Sequence, residues 1–196
     1  MKRLFSALLL LAATPAAAQF QSEGYKFLTA VRDAKPNDVI SALNKPGNTL
    51  VNTRDTSTGE TALHIVVKRG DQPYTSFLLA KGADANARDN RGNTPMTLAV
   101  TGGYGNLIAL LVAGKANVNL GNGSGETPLI IAVHRRDTQM VRDLLKEGAD
   151  PDQADTLAGK SARDYATLDT RSTQITRIFA ETPKKARTSV AGPRLR

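Results

Sequence analysis

The chain repeats itself with an almost constant period, and this limits the folds that are open to it. The segment GETALHIV at 59–66 recurs as GNTPMTLA at 92–99 and GETPLIIA at 125–132, and more weakly as GKSARDYA at 159–166. The leading glycines are 33, 33 and 34 residues apart. A unit this short cannot bury its own apolar side chains, so the units have to stack and share one continuous core.

The start of each regular unit carries the signals of a helix N-terminus. Thr61, Thr94 and Thr127 each precede an apolar stretch, where a hydroxyl can accept a hydrogen bond from a free backbone N–H. Pro95 and Pro128 follow at the first helical position, where the missing N–H of proline costs nothing. These residues predict the first helix of three units.

The second helix of each regular unit ends in a related sequence, which is AKGAD at 80–84, AGKAN at 113–117 and KEGAD at 146–150. Gly82 and Gly148 stand just past the helix, where a left-handed conformation closes the end and glycine carries no steric penalty. Lys115 occupies the same place, with Gly114 one position early. We therefore expect a strained or shifted helix end at Lys115.

The period and the motif, which is related to Thr-Pro-Leu-His-x-Ala, make the chain similar to the ankyrin-repeat family. The resemblance implies an all-α solenoid of about five helix-turn-helix repeats with hairpin-like finger loops. It places an irregular first unit at about 25–54, three regular units from Gly59, Gly92 and Gly125, and a polar last unit from 159 to about 180. It also implies that His64 makes hydrogen bonds that support a neighbouring turn.

Residues on either side of the units fit the same picture. The pairs Asp84 and Asn86, Asn117 and Asn119, and Asp150 and Asp152 are typical of turns whose short polar side chains bond to nearby backbone. Arg163 and Asp164 stand where the earlier units have Leu63 and His64. Polar residues at these places indicate an end unit, because one face of a terminal repeat meets water.

Both termini differ from the repeats. Residues 1–18 combine a basic start, an apolar run and a small-residue site, as in a cleaved secretory signal peptide, and the run is too short for a membrane span. We divide the chain into a signal peptide at 1–18, an ankyrin-repeat domain at 19–181 and a disordered basic tail at 182–196. The signal looks bacterial, so we expect a periplasmic or secreted protein with no transmembrane span after cleavage.

The formal net charge of +8 belongs largely to the two ends, and the repeats are close to neutral. The tail has no acidic residue after Glu181 and carries Lys184, Lys185, Arg187, Arg194 and Arg196. An alternative function is therefore attachment of the tail to an anionic surface, such as a membrane, a cell-wall polymer or nucleic acid. The tail lacks aromatic residues that stack on bases, so we do not expect nucleic acid as the main partner.

Residues for catalysis or metal binding do not assemble into a pattern. The chain has no cysteine, and its two histidines, His64 and His134, are at non-equivalent places in their units. The segment at 84–90 begins like a calcium loop but has Asp89 where glycine is required, and the glycines at 121–125 lack the spacing of a phosphate-binding loop. We predict no enzyme activity, no cofactor and no metal site.

The resemblance implies instead that another protein binds to the finger tips and the inner face of the first helices. The matching positions are Arg54, Asp55, Lys68, Arg69, Arg88, Asp89, Asn90, Arg91, Thr101, Asn122, Ser124, His134, Arg135 and Asp155. We expect a monomer with no small-molecule substrate. Two interpretations of this surface stay open: it binds an acidic patch of the partner, or it is a solvated surface whose neighbouring opposite charges cancel.

Overall fold

The computed structural model describes residues 22–45, 47 and 49–183. In this part of the chain, α-helices form five consecutive pairs, and each pair is one repeat. The helices are Glu23–Arg32 (α1), Pro36–Leu43 (α2), Ala62–Lys68 (α3), Gln72–Ala80 (α4), Pro95–Gly102 (α5), Ile108–Ala113 (α6), Pro128–His134 (α7), Thr138–Lys146 (α8), Ala162–Leu168 (α9) and Thr173–Glu181 (α10). The predicted all-α repeat fold is confirmed, whereas the predicted signal peptide and the tail from residue 184 onward lie outside the described residues.

Two of the three predicted threonine caps form, at Thr94 and Thr127, whereas the Thr61 hydroxyl lies 2.8 Å from the Nδ1 atom of His64. The Thr94 hydroxyl accepts a hydrogen bond from the Thr97 N–H at 3.1 Å, and the Thr127 hydroxyl accepts one from the Ile130 N–H at 3.2 Å. In the last repeat, Ser161 takes this role for α9. Each of these contacts satisfies a backbone donor that the helix itself leaves free.

The second helices also end as predicted. The backbone angle φ is +85° at Gly82 and +88° at Gly148, and it is +69° at Lys115, so the lysine occupies the left-handed region that favours glycine. Gly114 has a packing role instead. A Cβ atom added to it would lie 2.7 Å from a methyl group of Leu79 in the preceding repeat.

A second left-handed position follows the first helices and was not predicted. It is occupied by Gly70 and Gly103 in the second and third repeats, but by Ala34 and Arg136 in the first and fourth, with φ of +53° and +55°. Because no single residue type marks this position, the repeat pattern gave no signal for it.

The core is a continuous apolar layer along the stack. Helix α3 contacts α1 and α5, and α7 contacts α5 and α9, so the first helices lie side by side. Two sets of side chains that recur at the repeat period have no exposed surface: Leu63, Met96 and Leu129 on the first helices, and Leu78, Leu111 and Leu144 on the second. Burial of each such side chain contributes about 1.5–3 kcal/mol, so contacts between repeats stabilise a chain that has no disulfide.

An asparagine ladder, formed by Asn52, Asn86 and Asn119, connects the loops between repeats. The Asn86 amide donates to the Lys115 carbonyl at 2.9 Å and accepts from the Asn117 N–H at 2.7 Å. Asn52 and Asn119 make the equivalent two contacts with the helix ends at 82–84 and 148–150. The ladder fixes the register of each repeat against the next.

The ladder ends differently at the last repeat, where Asp152 stands at the next equivalent position. Its carboxylate accepts from the Arg163 guanidinium at 2.7 Å. Arg163 in turn donates to the carbonyls of Phe179 and Thr182 at the end of α10. An ion pair thus replaces the asparagine amide and closes the stack, as expected for Arg163 in an end unit.

Candidate protein-binding surface

The finger loops are each organised by one acidic or amide side chain at their first position. Asp89 accepts from the backbone N–H groups of Arg91 and Asn93, both at 2.8 Å. Asn122 accepts from Ser124 at 2.9 Å and from Glu126 at 3.1 Å. These side chains hold the turns that carry the finger tips.

In the second and fifth repeats the finger is one residue longer, and its organising residue has an additional partner. Asp55 accepts from Ser57, Thr58 and the Arg32 guanidinium, and these hydrogen bonds hold its pKa well below the usual range. Asp155 accepts three backbone N–H groups from residues 157–159 and the Tyr165 hydroxyl at 2.6 Å.

The Tyr165 hydroxyl lowers the pKa of Asp155, and the same hydrogen bond raises the pKa of Tyr165 to about 12. Asp155 is only 5 % exposed, although the repeat pattern placed it among the surface candidates. One of its carboxylate oxygens accepts from the finger backbone, and the other accepts from Tyr165 on α9. Asp155 therefore organises the turn and does not belong to the surface that a partner can contact.

Neighbouring fingers are joined to one another through their backbones. Asn90 donates its backbone N–H to the Thr58 carbonyl at 2.9 Å, and Thr156 donates to the Ser124 carbonyl at 3.1 Å. Between these two contacts, a Cβ atom at Gly123 would lie 2.5 Å from the Arg91 carbonyl oxygen. The glycines near 121–125 thus allow the fingers to pack closely. The side chains of Arg54, Asn90 and Arg91 are exposed on this side of the stack.

The first helices present a second row beside the fingers, which we call the inner strip. Its exposed members, Lys68, Thr101, His134 and Leu168, occupy equivalent positions at the ends of α3, α5, α7 and α9. Three residues earlier, and therefore on the same helical face, lie the half-buried Ile65, Leu98, Ile131 and Tyr165. The strip has an apolar floor, and its exposed edge is polar except at Leu168.

Contacts connect the inner strip to the finger stems. Lys68 pairs with Glu60 at 2.7 Å, and the His134 Nδ1 atom lies 3.4 Å from a carboxylate oxygen of Glu126. The His134 ring also packs edge-to-face on Tyr165, with ring centroids 4.5 Å apart. Fingers and inner strip therefore form one surface.

Three predicted arginines make structural contacts; Arg69 and Arg135 are exposed, and Arg88 is half-buried. Arg69 donates to the Val31 carbonyl at 3.0 Å and Arg135 to the Thr101 carbonyl at 2.8 Å, so both bind the C-terminal end of the preceding repeat's first helix. Arg88 donates to the Gly92 carbonyl at 2.9 Å within its own finger. Changing these residues would alter the stack as well as the surface.

His64 has the structural role that the resemblance implied. It has no exposed surface, and its Nε2 atom lies 3.1 Å from the Asn93 carbonyl of the next finger. Its Nδ1 atom accepts from the Thr61 N–H at 3.2 Å. This arrangement requires the neutral ring with the proton on Nε2, and burial lowers the pKa of His64 accordingly.

Sequence reasoning missed Tyr165 and Leu168. Both follow from the repeat alignment, because Leu168 is equivalent to Thr101 and His134. The polar Arg163 and Asp164 indicate an end unit and give no sign of an apolar inner face on α9. Leu168 is 63 % exposed and is one of the few large apolar side chains of the described chain that face solvent.

Across residues 22–45, 47 and 49–183, no group of three or more histidine, aspartate or glutamate side chains is arranged to hold a metal ion. None of the helices in the same range is both long and apolar enough to cross a membrane.

The helix pairs, the joined fingers and the inner strip define a repeat solenoid with an extended surface along one side. Residues 27–122 and 77–155 match the family model described as ankyrin repeats in three copies, which covers more than half of the chain. The chain belongs to the ankyrin-repeat family.

Individual relatives match only in part. An ankyrin repeat protein of Acanthamoeba polyphaga mimivirus is 47 % identical over 49 residues, which is 25 % of this chain and 7 % of the viral protein. The neurogenic locus Notch protein of Drosophila melanogaster is 45 % identical over 62 residues, and the human neurogenic locus notch homolog protein 1 is 43 % identical over 63 residues. Each of these two matches covers 32 % of this chain and 2 % of the relative. The chain thus spans only a small part of the length of the relatives it matches.

Proposed function

We propose that this protein is a non-enzymatic binding module that holds a partner protein against its inner strip and finger tips. The observation that supports the proposal is a row of exposed side chains, at Lys68, Thr101, His134 and Leu168, which the core does not need. The row continues over four repeats beside exposed finger tips. Such an extended surface suits a macromolecular partner better than a small ligand.

Family membership supports the same class of function. Ankyrin repeats generally mediate protein–protein interactions, and the comparisons identify no catalytic family for this chain. A fold shared by many proteins does not name the partner, so the partner has to be recognised through the side chains of this particular surface.

A bulky substitution in the middle of the inner strip tests the proposal. Thr101 lies in the third of five repeats and is exposed. We expect Thr101→Trp to reduce capture of the partner from an extract of the source cells by about tenfold, because the indole blocks the strip. Arg142→Trp is the matched control, since Arg142 is exposed on the second helix α8. Equal capture by both variants would contradict the proposal.

The basic tail provides the alternative, because it carries five cations and no acid. Deletion of the residues after Pro183 separates the two functions, because it removes all five cations and keeps the Thr182 carbonyl that Arg163 binds. If the inner strip binds the partner, the shortened protein captures it as well as the full chain does. If the tail attaches the protein to an anionic surface, capture is lost and Thr101→Trp has no effect.

We further propose that the protein is exported from a bacterial cell and acts in the periplasm or outside the cell. The support is the layout of residues 1–18. Cell fractionation with N-terminal sequencing of the purified protein provides the test. We expect the protein in the periplasmic or external fraction with Gln19 as its first residue. A cytoplasmic protein that keeps Met1 would contradict export.

A further inference from the structure

The inner strip changes its chemistry along the stack. In the second repeat its exposed residue, Lys68, is paired with Glu60. In the third repeat the exposed residue is the small, polar Thr101. In the fourth and fifth repeats it becomes aromatic and apolar through His134, Tyr165 and Leu168, which we call the Tyr165 patch.

The Tyr165 patch is held rigidly before any partner arrives. The Tyr165 hydroxyl is fixed on Asp155 at 2.6 Å, and its ring contacts His134 edge-to-face. The Lys160 ammonium lies 5.9 Å from the centre of the same ring. A fixed aromatic side chain beside an exposed leucine has the properties of an interface anchor, because little conformational entropy is lost on binding.

The acidic side chains of this surface are occupied internally. Asp55 pairs with Arg32, and Asp89 and Asp155 accept hydrogen bonds within their fingers. Glu60 pairs with Lys68. One carboxylate oxygen of Glu126 accepts from the Asn122 side-chain amide, and the other lies 3.4 Å from the His134 Nδ1 atom.

Several cations of the same surface, in contrast, have no carboxylate partner within the described part of the chain. They are Arg54, Arg91, Arg135 and Lys160. Arg135 is bonded to a carbonyl, and Lys160 lies over the Tyr165 ring. The surface therefore attracts negative charge although its formal composition is mixed.

We propose that the inner strip binds an extended acidic segment of the partner protein that carries an apolar side chain. This inference rests on the proposed function and specifies the partner that the surface fits. The apolar side chain packs on Tyr165 and Leu168, and acidic side chains of the segment lie near Arg91, Arg135 and Lys160.

A peptide fits this surface better than a nucleic acid does. A nucleic acid carries a negative charge at every phosphate but has no aliphatic side chain that could pack on the exposed Leu168. A peptide can place an apolar side chain on the Tyr165 patch and acidic side chains opposite the cations. Charge complementarity of this kind selects one partner over others.

Selection from a random peptide library tests the inference. The library displays peptides of about 12 residues, which span about 40 Å when extended. The target is the full chain in which Lys184→Gln, Lys185→Gln, Arg187→Gln, Arg194→Gln and Arg196→Gln remove the charges of the tail. We expect enriched peptides to combine aspartate or glutamate with a leucine, isoleucine or aromatic residue. Enrichment of basic peptides, of peptides without an apolar residue, or of no peptide would overturn the inference.

Matched variants then locate the binding site of an enriched peptide. Leu168→Glu should weaken its binding by about tenfold or more, because it places a carboxylate in the Tyr165 patch. Ile40→Glu is the control, since Ile40 is an apolar residue of α2 that is 41 % exposed. Tyr165→Phe, which keeps the ring but loses the hydrogen bond to Asp155, should weaken binding by less than Leu168→Glu does. Equal losses for Leu168→Glu and Ile40→Glu would remove the Tyr165 patch as the site.

The outcome can be separated from that of the proposed function. If Thr101→Trp abolishes capture of the natural partner but the selected peptides are not acidic, the inner strip is the binding surface and only the inferred partner chemistry is wrong. If Thr101→Trp has no effect on capture, the proposed function itself is wrong.

Discussion

Replacing Lys115 with glycine should stabilise the protein, and the structure gives the size of the effect. Lys115 has a φ of +69°, whereas the equivalent Gly82 and Gly148 have +85° and +88°. Its side chain is exposed and makes no ion pair within the described residues. Its backbone carbonyl accepts from Asn86, and glycine keeps that contact. Only the strain on the Cβ atom is removed.

Two opposing terms set the magnitude for Lys115→Gly. Relief of the left-handed strain contributes about 1–2 kcal/mol. The greater freedom of glycine in the unfolded chain costs about 0.4–1 kcal/mol. The midpoints of the two ranges leave a net gain of about 1 kcal/mol, which for a chain of this length corresponds to a rise in Tm of about 2–4 °C.

Thermal and urea unfolding, followed by circular dichroism, measure this change. Glu147→Gly is the control, because Glu147 ends a neighbouring second helix with a φ of −83° and has no left-handed strain to lose. The control should be less stable than the wild type by about 0.5–1 kcal/mol. The reasoning is refuted if Lys115→Gly is no more stable than Glu147→Gly.

Three further predictions concern the stack and its pH dependence. Leu111→Ala should destabilise the protein by about 2–5 kcal/mol in urea unfolding, because the side chain is fully buried in the central repeat; a loss of only a few tenths would contradict its central place. Asn86→Ala should lower the free energy of unfolding by about 1–3 kcal/mol, because two hydrogen bonds of the ladder are lost. An unchanged urea midpoint would show that the ladder does not contribute to stability. The free energy of unfolding should fall as the pH drops below about 6.5. The pKa of His64 is lower in the folded protein than in the unfolded protein, so the unfolded state takes up the proton first. His64→Asn should flatten this dependence; a slope that persists in His64→Asn would mean that other groups cause it.

The repeat period made most of the fold predictable. Once the units were aligned, the helix starts at Thr94 and Thr127 and the left-handed ends at Gly82 and Gly148 followed from local chemistry. The strain at Lys115 was predictable because glycine occupies the equivalent position in two other repeats. The left-handed positions at Ala34 and Arg136 were not predictable, because neither residue type indicates such a conformation.

The binding surface was predictable in position but not in detail. Alignment placed Asp89 and Asp155 on the fingers, but it could not show that their oxygens turn inward to accept backbone N–H groups. It placed Arg69 and Arg135 on the surface without showing their bonds to the preceding repeat. Such contacts depend on how neighbouring repeats meet in space, and the spacing along the chain does not determine them.

Photo-cross-linking from the inner strip tests most directly whether this surface holds the partner. A photoreactive phenylalanine analogue is introduced at Thr101, at the centre of the strip, and separately at Arg142 on α8. After illumination in an extract of the source cells, we predict a covalent adduct with one partner protein from position 101 and none from position 142. An adduct from position 142 alone, or equal adducts from both positions, would contradict the proposed binding surface.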